Sequence, residues 1–425
     1  MDFALDEDQT TLQEVLRDFF QAKSPEEVVR DLMDDPAGFD PVLWKQMADQ
    51  LGLQALAIPE EYGGNGFTFM ELGLVLEEMG RALVVSPFLA SCVMASELLL
   101  AADDEQARLD FLPGIASGEL IATVALAEDS GSWKPDEVAT SATRAGDSWT
   151  LDGHKSYVLD GTAADIVLVI AAVESSFGVF AVAKDADGFA SEALATMDQT
   201  RKQARLTFDA TPARLIGSVA AAPAAVATML DRTAIALAAE SLGGSAKVLD
   251  MAVDYAKVRE QFGRPIGSFQ AIKHKCASML VDVESSRSAV YYALWAASVG
   301  HEDTPQVASL VKAFCADAYL SACGENIQIH GGIGFTWEHP AHLYLKRAKN
   351  VQLYAGSSDF HRQQARRSYR HLNYHNEGEA THGNTGRTGG NRHRRRTWTR
   401  SRPRAEVGER RSSSRRQRSR CRRRW

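Results

Sequence analysis

The spacing of apolar residues along this chain changes period twice. Up to about residue 114 they recur every three to four positions. Leu5, Leu12, Val15, Leu16, Phe19 and Phe20 trace one helical face, and similar stripes run through 41–53, 70–81, 87–102 and 104–115. Pro41 and Pro87 suit a first helical turn, and Gly80 suits a helix end. From Glu119 to about Val219 the pattern shifts to β-branched and alternating runs, among them IATVALAE, KSYVLDG, IVLVIAAV and FGVFAVA. Asp152-Gly153, Asp160-Gly161 and Asp187-Gly188 separate several of these runs, which predicts an antiparallel β domain. From Ala221 to about Arg370 helical spacing returns in four long segments, 222–243, 245–261, 270–299 and 304–328, enough for a four-helix bundle. The expected fold class is α+β, with an N-terminal helical domain over 1–114, a middle antiparallel β domain over 115–220 and a C-terminal four-helix bundle over 221–370.

Composition adds limits. A chain of 425 residues that is 45% hydrophobic can build two or three cores. Five cysteines without a CxxC pair point to a reducing compartment. The acidic, amphipathic start has no cationic leader, and the longest apolar runs look too short to span a bilayer, so a cytoplasmic protein without membrane contact is expected. The net charge of −8 divides unevenly: residues 1–370 carry −21, and residues 371–425 carry +13 from seventeen arginines and no lysine. That last segment has no apolar periodicity, so a disordered tail is expected. Its composition reads first as out-of-frame translation of a G+C-rich gene, and otherwise as an arm for RNA, DNA or an anionic surface.

The candidate chemistry lies in two stretches. In YAKVREQFGRPIGSFQ (Tyr255–Gln270), Tyr255, Val258 and Phe262 share a helical face until Gly263-Arg264-Pro265 breaks it. Arg259 and Gln261 lie off that face; a guanidinium there can hold a diphosphate with paired bonds, and an amide can read a sugar or base edge. In QIHGGIGFTWEHP (Gln328–Pro340), Gly331, Gly332 and Gly334 allow close backbone approach to a ligand. Together, RxQFGxPIxxFQ followed by QxHGGxGF resembles the C-terminal domain of the acyl-CoA dehydrogenase family. LQALAIPEEYGGNG (Leu53–Gly66), LGLVLEEMGR (Leu72–Arg81) and LDGHKSYVLDG (Leu151–Gly161) resemble its earlier motifs. The likeness covers residues 1–370 in the family's order.

The resemblance implies FAD held between the β domain and the bundle, with a neighbouring subunit covering its diphosphate. It implies that Arg259, Phe262 and Gln270 contact the diphosphate and adenosine. Gln328, Gly331 and Gly332 then approach the adenine side, and Ser132, Tyr157 and Ser357 complete the cofactor contacts. The implied reaction is α,β-desaturation of an acyl-CoA thioester, from a fatty acid or sterol side chain. A carboxylate takes the α-proton, the β-hydrogen leaves as hydride to flavin N5, and an electron-transferring flavoprotein collects the electrons.

The sequence departs from the family at the centre of that chemistry. Leu159 stands where a hydroxyl meets the flavin, and the two positions that supply the carboxylate read Ala355 and Thr233. Glu240, two turns beyond Thr233 on the same helix face, and Asp231 are the nearby candidates for the base. For Glu240 the alternative is a structural salt bridge to an arginine of the bundle. Three functional readings follow: an FAD-dependent acyl-CoA dehydrogenase, as a homo-oligomer or an α2β2 assembly with a paralogous subunit; a non-catalytic partner subunit; or a nucleic-acid binder acting through the tail. Truncation after Arg370 is expected to leave helicity and thermal midpoint nearly unchanged, as measured by circular dichroism melting.

Overall fold

The computed structural model describes residues 5–146 and 148–367; the arginine-rich tail lies outside the described residues. The N-terminal part is helical: α1 (Glu7–Lys23), α2 (Glu26–Asp34), α3 (Pro41–Leu51), α4 (Phe69–Arg81), α5 (Ser96–Ala101) and α6 (Glu105–Ser117). Local chemistry sets the starts. At α1 the Asp6 carboxylate accepts from Gln9 N at 2.8 Å while the Gln9 side chain returns to Asp6 N, and Thr68 with Glu71 repeats the device at α4. Helix α2 was not expected from the pattern; it follows Pro25 and buries Val29, Leu32 and Met33. The stripe expected over 87–102 is split, with a π-helical segment, Leu89–Ala95, running into α5.

Seven strands follow: β1 (Ala122–Ala125), β2 (Ser141–Ala145), β3 (Ser148–Leu159), β4 (Ile166–Val173), β5 (Ser176–Ala183), β6 (Phe189–Ala193) and β7 (Gln203–Ile216). Most pairs are antiparallel, as expected, but β1 and β2 both run parallel to β4. Strand β1 arrives from α6 rather than from a hairpin, so no tight turn forces it antiparallel. The β3–β7 pairing slips between Lys155 and Val158, a bulge that turns Tyr157 outward at φ 59°.

The bundle contains α7 (Ala222–Val258), a short β8–β9 hairpin (Glu260–Gln261 with Arg264–Pro265), α8 (Gln270–Ser298), α9 (Thr304–His330) and α10 (Ala341–Leu353). Residues 358–367 are again helical. Two expectations are corrected. The segments 222–243 and 245–261 are one 37-residue helix, and the fourth helix is α10, which the spacing did not show. Gly243-Gly244 does not break α7, because it is where other helices approach. A Cβ on Gly243 would fall 1.7 Å from Glu77 O of α4, and one on Gly80 of α4 would fall 2.1 Å from Glu240 O of α7. The helices touch backbone to backbone, and packing fixes what propensity alone would loosen. The membrane expectation also changes: α7 and the stretch Thr304–Phe335 are long and apolar enough to cross a bilayer. Most of both is buried in the bundle, which accounts for their apolar content.

Replacing Gly243 by Val is expected to lower unfolding free energy by at least ~3 kcal/mol, the upper range for overpacking. Gly324→Ala in α9, where a Cβ meets nothing within 4 Å, should instead gain ~0.5–1 kcal/mol. Urea denaturation of both variants checks the contrast.

Candidate active site

A cleft of about 600 Å³ opens between the β domain and the end of α10. Ser132, Trp133 and Tyr157 line one side; Tyr354, Gly356 and Ser357 line the other. Three of the expected cofactor residues, Ser132, Tyr157 and Ser357, thus meet in one place. The Ser132 hydroxyl donates to Glu137 Oε2 at 2.6 Å. Below this loop, Glu128 accepts from Lys155 Nζ at 2.8 Å and from the amides of Ala139 and Thr140. Burial opposes its charge, yet Lys155 and the amides bring its carboxyl down to about 2. Backbone strain collects around the cleft: Tyr157, Asp160 and Ala355 all have φ between 49° and 59° without being glycine.

The remaining six expected residues do not line this cleft. Arg259 and Phe262 lie on and beside the β8–β9 hairpin, Gln270 opens α8, and Gln328, Gly331 and Gly332 close α9; all six are exposed. Phe262 is 92% exposed, and Ile333, Phe335 and Trp337 stand exposed on the loop after α9. Arg259 has no ion-pair partner among the described residues. A Cβ added at Gly331 or Gly332 would meet nothing within 4 Å. A free guanidinium, two amides and open glycine backbone fit a dinucleotide's diphosphate and adenosine. The ring-facing side fits less fully, because buried Leu159 has no hydroxyl to offer.

The structure does not support Glu240 as a base. Its carboxylate is buried between two guanidiniums, accepting from Arg201 Nη2 and, at 2.5 Å, from Arg347 Nη1. Arg347 is also bound to Asp198 at 3.1 Å and to the carbonyl and hydroxyl of Thr200. Burial would raise the Glu240 carboxyl, but the two arginines hold it below its ordinary range, the reverse of what a base near neutral pH needs. Asp231 is half-buried and does not line the cleft; burial pushes its carboxyl up to about 7. At the family's two base positions, Thr233 is fully buried and donates to Met229 O, and Ala355 is buried beside Tyr354. Next to Ala355, Tyr354 is held by two side chains. Trp133 packs edge-on to Tyr354 with centroids 4.5 Å apart, and the Tyr354 hydroxyl lies 3.7 Å from Met94 Sδ.

Several site residues escaped sequence reading. Arg347 and Arg201 sit in no motif, although a glutamate within ALAAESLGG called for a cationic partner. Asp160 is buried with its carboxyl raised to about 7, mainly by burial. It lines a small cavity of about 30 Å³ with Ser86 and Arg201. The Ser86 hydroxyl and Arg201 Nη1 have no partner there.

Helical, β and helical domains around an interdomain cleft define a flavoprotein dehydrogenase architecture. The sequence matches the acyl-CoA dehydrogenase N-terminal domain over residues 6–119 and the C-terminal domain over 223–369. It is 35% identical to the acyl-CoA dehydrogenase IpdE2 of Mycobacterium tuberculosis, covering 80% of this chain and 91% of that one. Among solved structures, the Tcur3481-Tcur3483 steroid ACAD is similar with TM-score 0.77 and 31% identity over 88% of this chain and 99% of that one. The ChsE4-ChsE5 complex of Mycobacterium tuberculosis gives 0.78 and 30% over the same shares. The chain belongs to the acyl-CoA dehydrogenase family, whose cofactor is FAD.

Glu240→Gln removes the charge that both arginines face, and should cost ~3–5 kcal/mol. Because the folded carboxyl is held below its ordinary value of 4.5, its contribution is present above that value and lost as pH falls through the folded one. The variant should therefore lose part of the wild-type acid sensitivity, measured as urea midpoints between neutral and acidic pH.

Proposed function

We propose that this chain is the non-desaturating subunit of a heteromeric acyl-CoA dehydrogenase, completing an FAD site on a paralogous partner. One observation carries the reading. The positions that would hold the base are Ala355 and Thr233, neither a carboxylate, and Tyr354 beside Ala355 packs against Trp133 and Met94. The exposed set on the other face supports it, since Arg259, Gln270 and the Gly331-Gly332 backbone are available to a neighbouring chain.

When bound, FAD supplies the hydride-accepting ring. In this reading Arg259 neutralises diphosphate charge, Gln270 and Gln328 offer amides to the adenosine, Gly331 and Gly332 admit its close approach, and Phe262 covers it. The partner supplies the carboxylate that takes the α-proton. A steroid-derived CoA ester is the proposed substrate class, supported by the likeness to a steroid ACAD. Cytoplasmic location and reoxidation by an electron-transferring flavoprotein belong to the same proposal.

The test is the absorbance spectrum of the chain purified alone and of the chain co-expressed with a carboxylate-bearing paralogue. The chain alone should show little flavin and no anaerobic bleaching with a steroid side-chain CoA ester. The complex should be yellow and bleach, and Arg259→Gln in this chain should weaken its FAD affinity about tenfold or more. Bleaching by the chain alone would overturn the proposal.

A further inference from the structure

Lys312 of α9 carries an amine with no access to water: it is 0% exposed, and burial brings its pKa down to about 7. Its amine donates to Val351 O at 2.6 Å and reaches Gly356 O at 3.5 Å. Between those carbonyls, Ala355 O lies 2.9 Å from His361 Nε2, so that nitrogen carries the hydrogen. Burial and Lys312 bring the His361 imidazole down to about 4, which keeps it neutral. Two side chains from different elements thus hold three carbonyls along the end of α10 and the turn that follows it.

That turn cannot hold its own shape. Ala355 has φ 55° and Gly356 φ 104°, and the left-handed region is one that alanine avoids. A non-glycine residue stays there only where its surroundings over-determine it. Gly356 is tightly confined as well, because a Cβ there would lie 2.5 Å from the Phe360 ring and 3.1 Å from His361 Nε2. Val351 O is one of the carbonyls a helix end leaves unsatisfied, and Lys312 satisfies it from the side. Each peptide plane fixes its N–H opposite its carbonyl. Turning the Ala355 and Gly356 carbonyls toward His361 and Lys312 therefore turns the Gly356 and Ser357 amides away from them. Tyr354, just before this turn, is the residue that meets Trp133 across the cleft.

We propose that Lys312 and His361 are positioning residues that lock the Ala355–Gly356 turn, and through it set the Tyr354–Trp133 contact across the cleft. The inference concerns this chain's own backbone and holds whether or not the partner-subunit reading does.

The test is Lys312→Met in the full chain, read by the fluorescence of Trp133, taken as the difference between each protein and its Trp133→Phe counterpart. Losing the amine should shift the Trp133 emission and increase its quenching by acrylamide, while far-ultraviolet circular dichroism stays as in the wild type. A merely structural lysine would lower the thermal midpoint and leave the Trp133 signal unchanged, and that result would overturn the proposal. If Lys312→Met does not fold, His361→Leu removes the hold on Ala355 alone and is judged by the same signal. An unchanged Trp133 in folded His361→Leu counts equally against it.

Discussion

Four buried charged side chains meet at the junction of the three domains, and the cleft depends on how they pair. Glu240 comes from α7, Arg347 from α10, and Asp198 and Arg201 from the segment entering β7. Burying any of them alone would cost several kcal/mol, so the arrangement is tolerable only when every partner is in place. That requirement makes it an interdomain latch: α10 cannot shift against the β domain without stranding a charge. Gly80 adds a second restriction, since it brings α4 against the Glu240 carbonyl itself. One wall of the cleft continues from α10 and the other from the sheet, so the latch sets their separation.

A carboxylate used in this way is unavailable for proton transfer, and Asp198, the described carboxylate that lines the cleft with Tyr354, is bound to the same Arg347. What remains divides the chain into two unequal halves. In the inward cleft Trp133 and Tyr354 pack on each other, while the outward face keeps an arginine with no ion-pair partner among the described residues and several exposed aromatic and aliphatic side chains. Exposed apolar groups clustered with polar ligand-binding groups are what an uncovered interface looks like. The asymmetry fits a subunit that gives to a neighbouring site more than it uses itself.

Much of the architecture could be read from the sequence, because the apolar period reports which face of each element is buried. It failed where packing overrides local preference. Gly243-Gly244 reads as a break and is a helix crossing; parallel β1 has no hairpin to announce it; α10 carries Tyr344, Arg347 and Ala348 inward without a clean stripe. The site divided the same way. Arg259, Gln270 and the glycines were visible through motifs, since their spacing reflects a break in a helix and an approach to a ligand. Arg201, Arg347 and Lys312 were not, because each gains its role from a residue far along the chain. Glu240 was legible only as a buried charge that needed a partner, and which role it played depended on two arginines that no local pattern connects to it.

The hairpin at Phe262 carries the argument one step further. Gln261 pairs with Arg264, so Phe262 and Gly263 form a two-residue turn, with φ 55° and 74°. Such turns favour asparagine or glycine at the first position, where a bulky side chain is strained. At Ala355 the strain is answered inside the chain by Lys312 and His361. At Phe262 nothing inside answers it: the ring is almost fully exposed and meets only the edge of Phe269, with centroids 6.1 Å apart. A strained aromatic with so little packing of its own is placed to be covered from outside. On the face that also carries Arg259 and Gln270, the proposed function assigns that cover to the partner subunit and the dinucleotide the two chains would share.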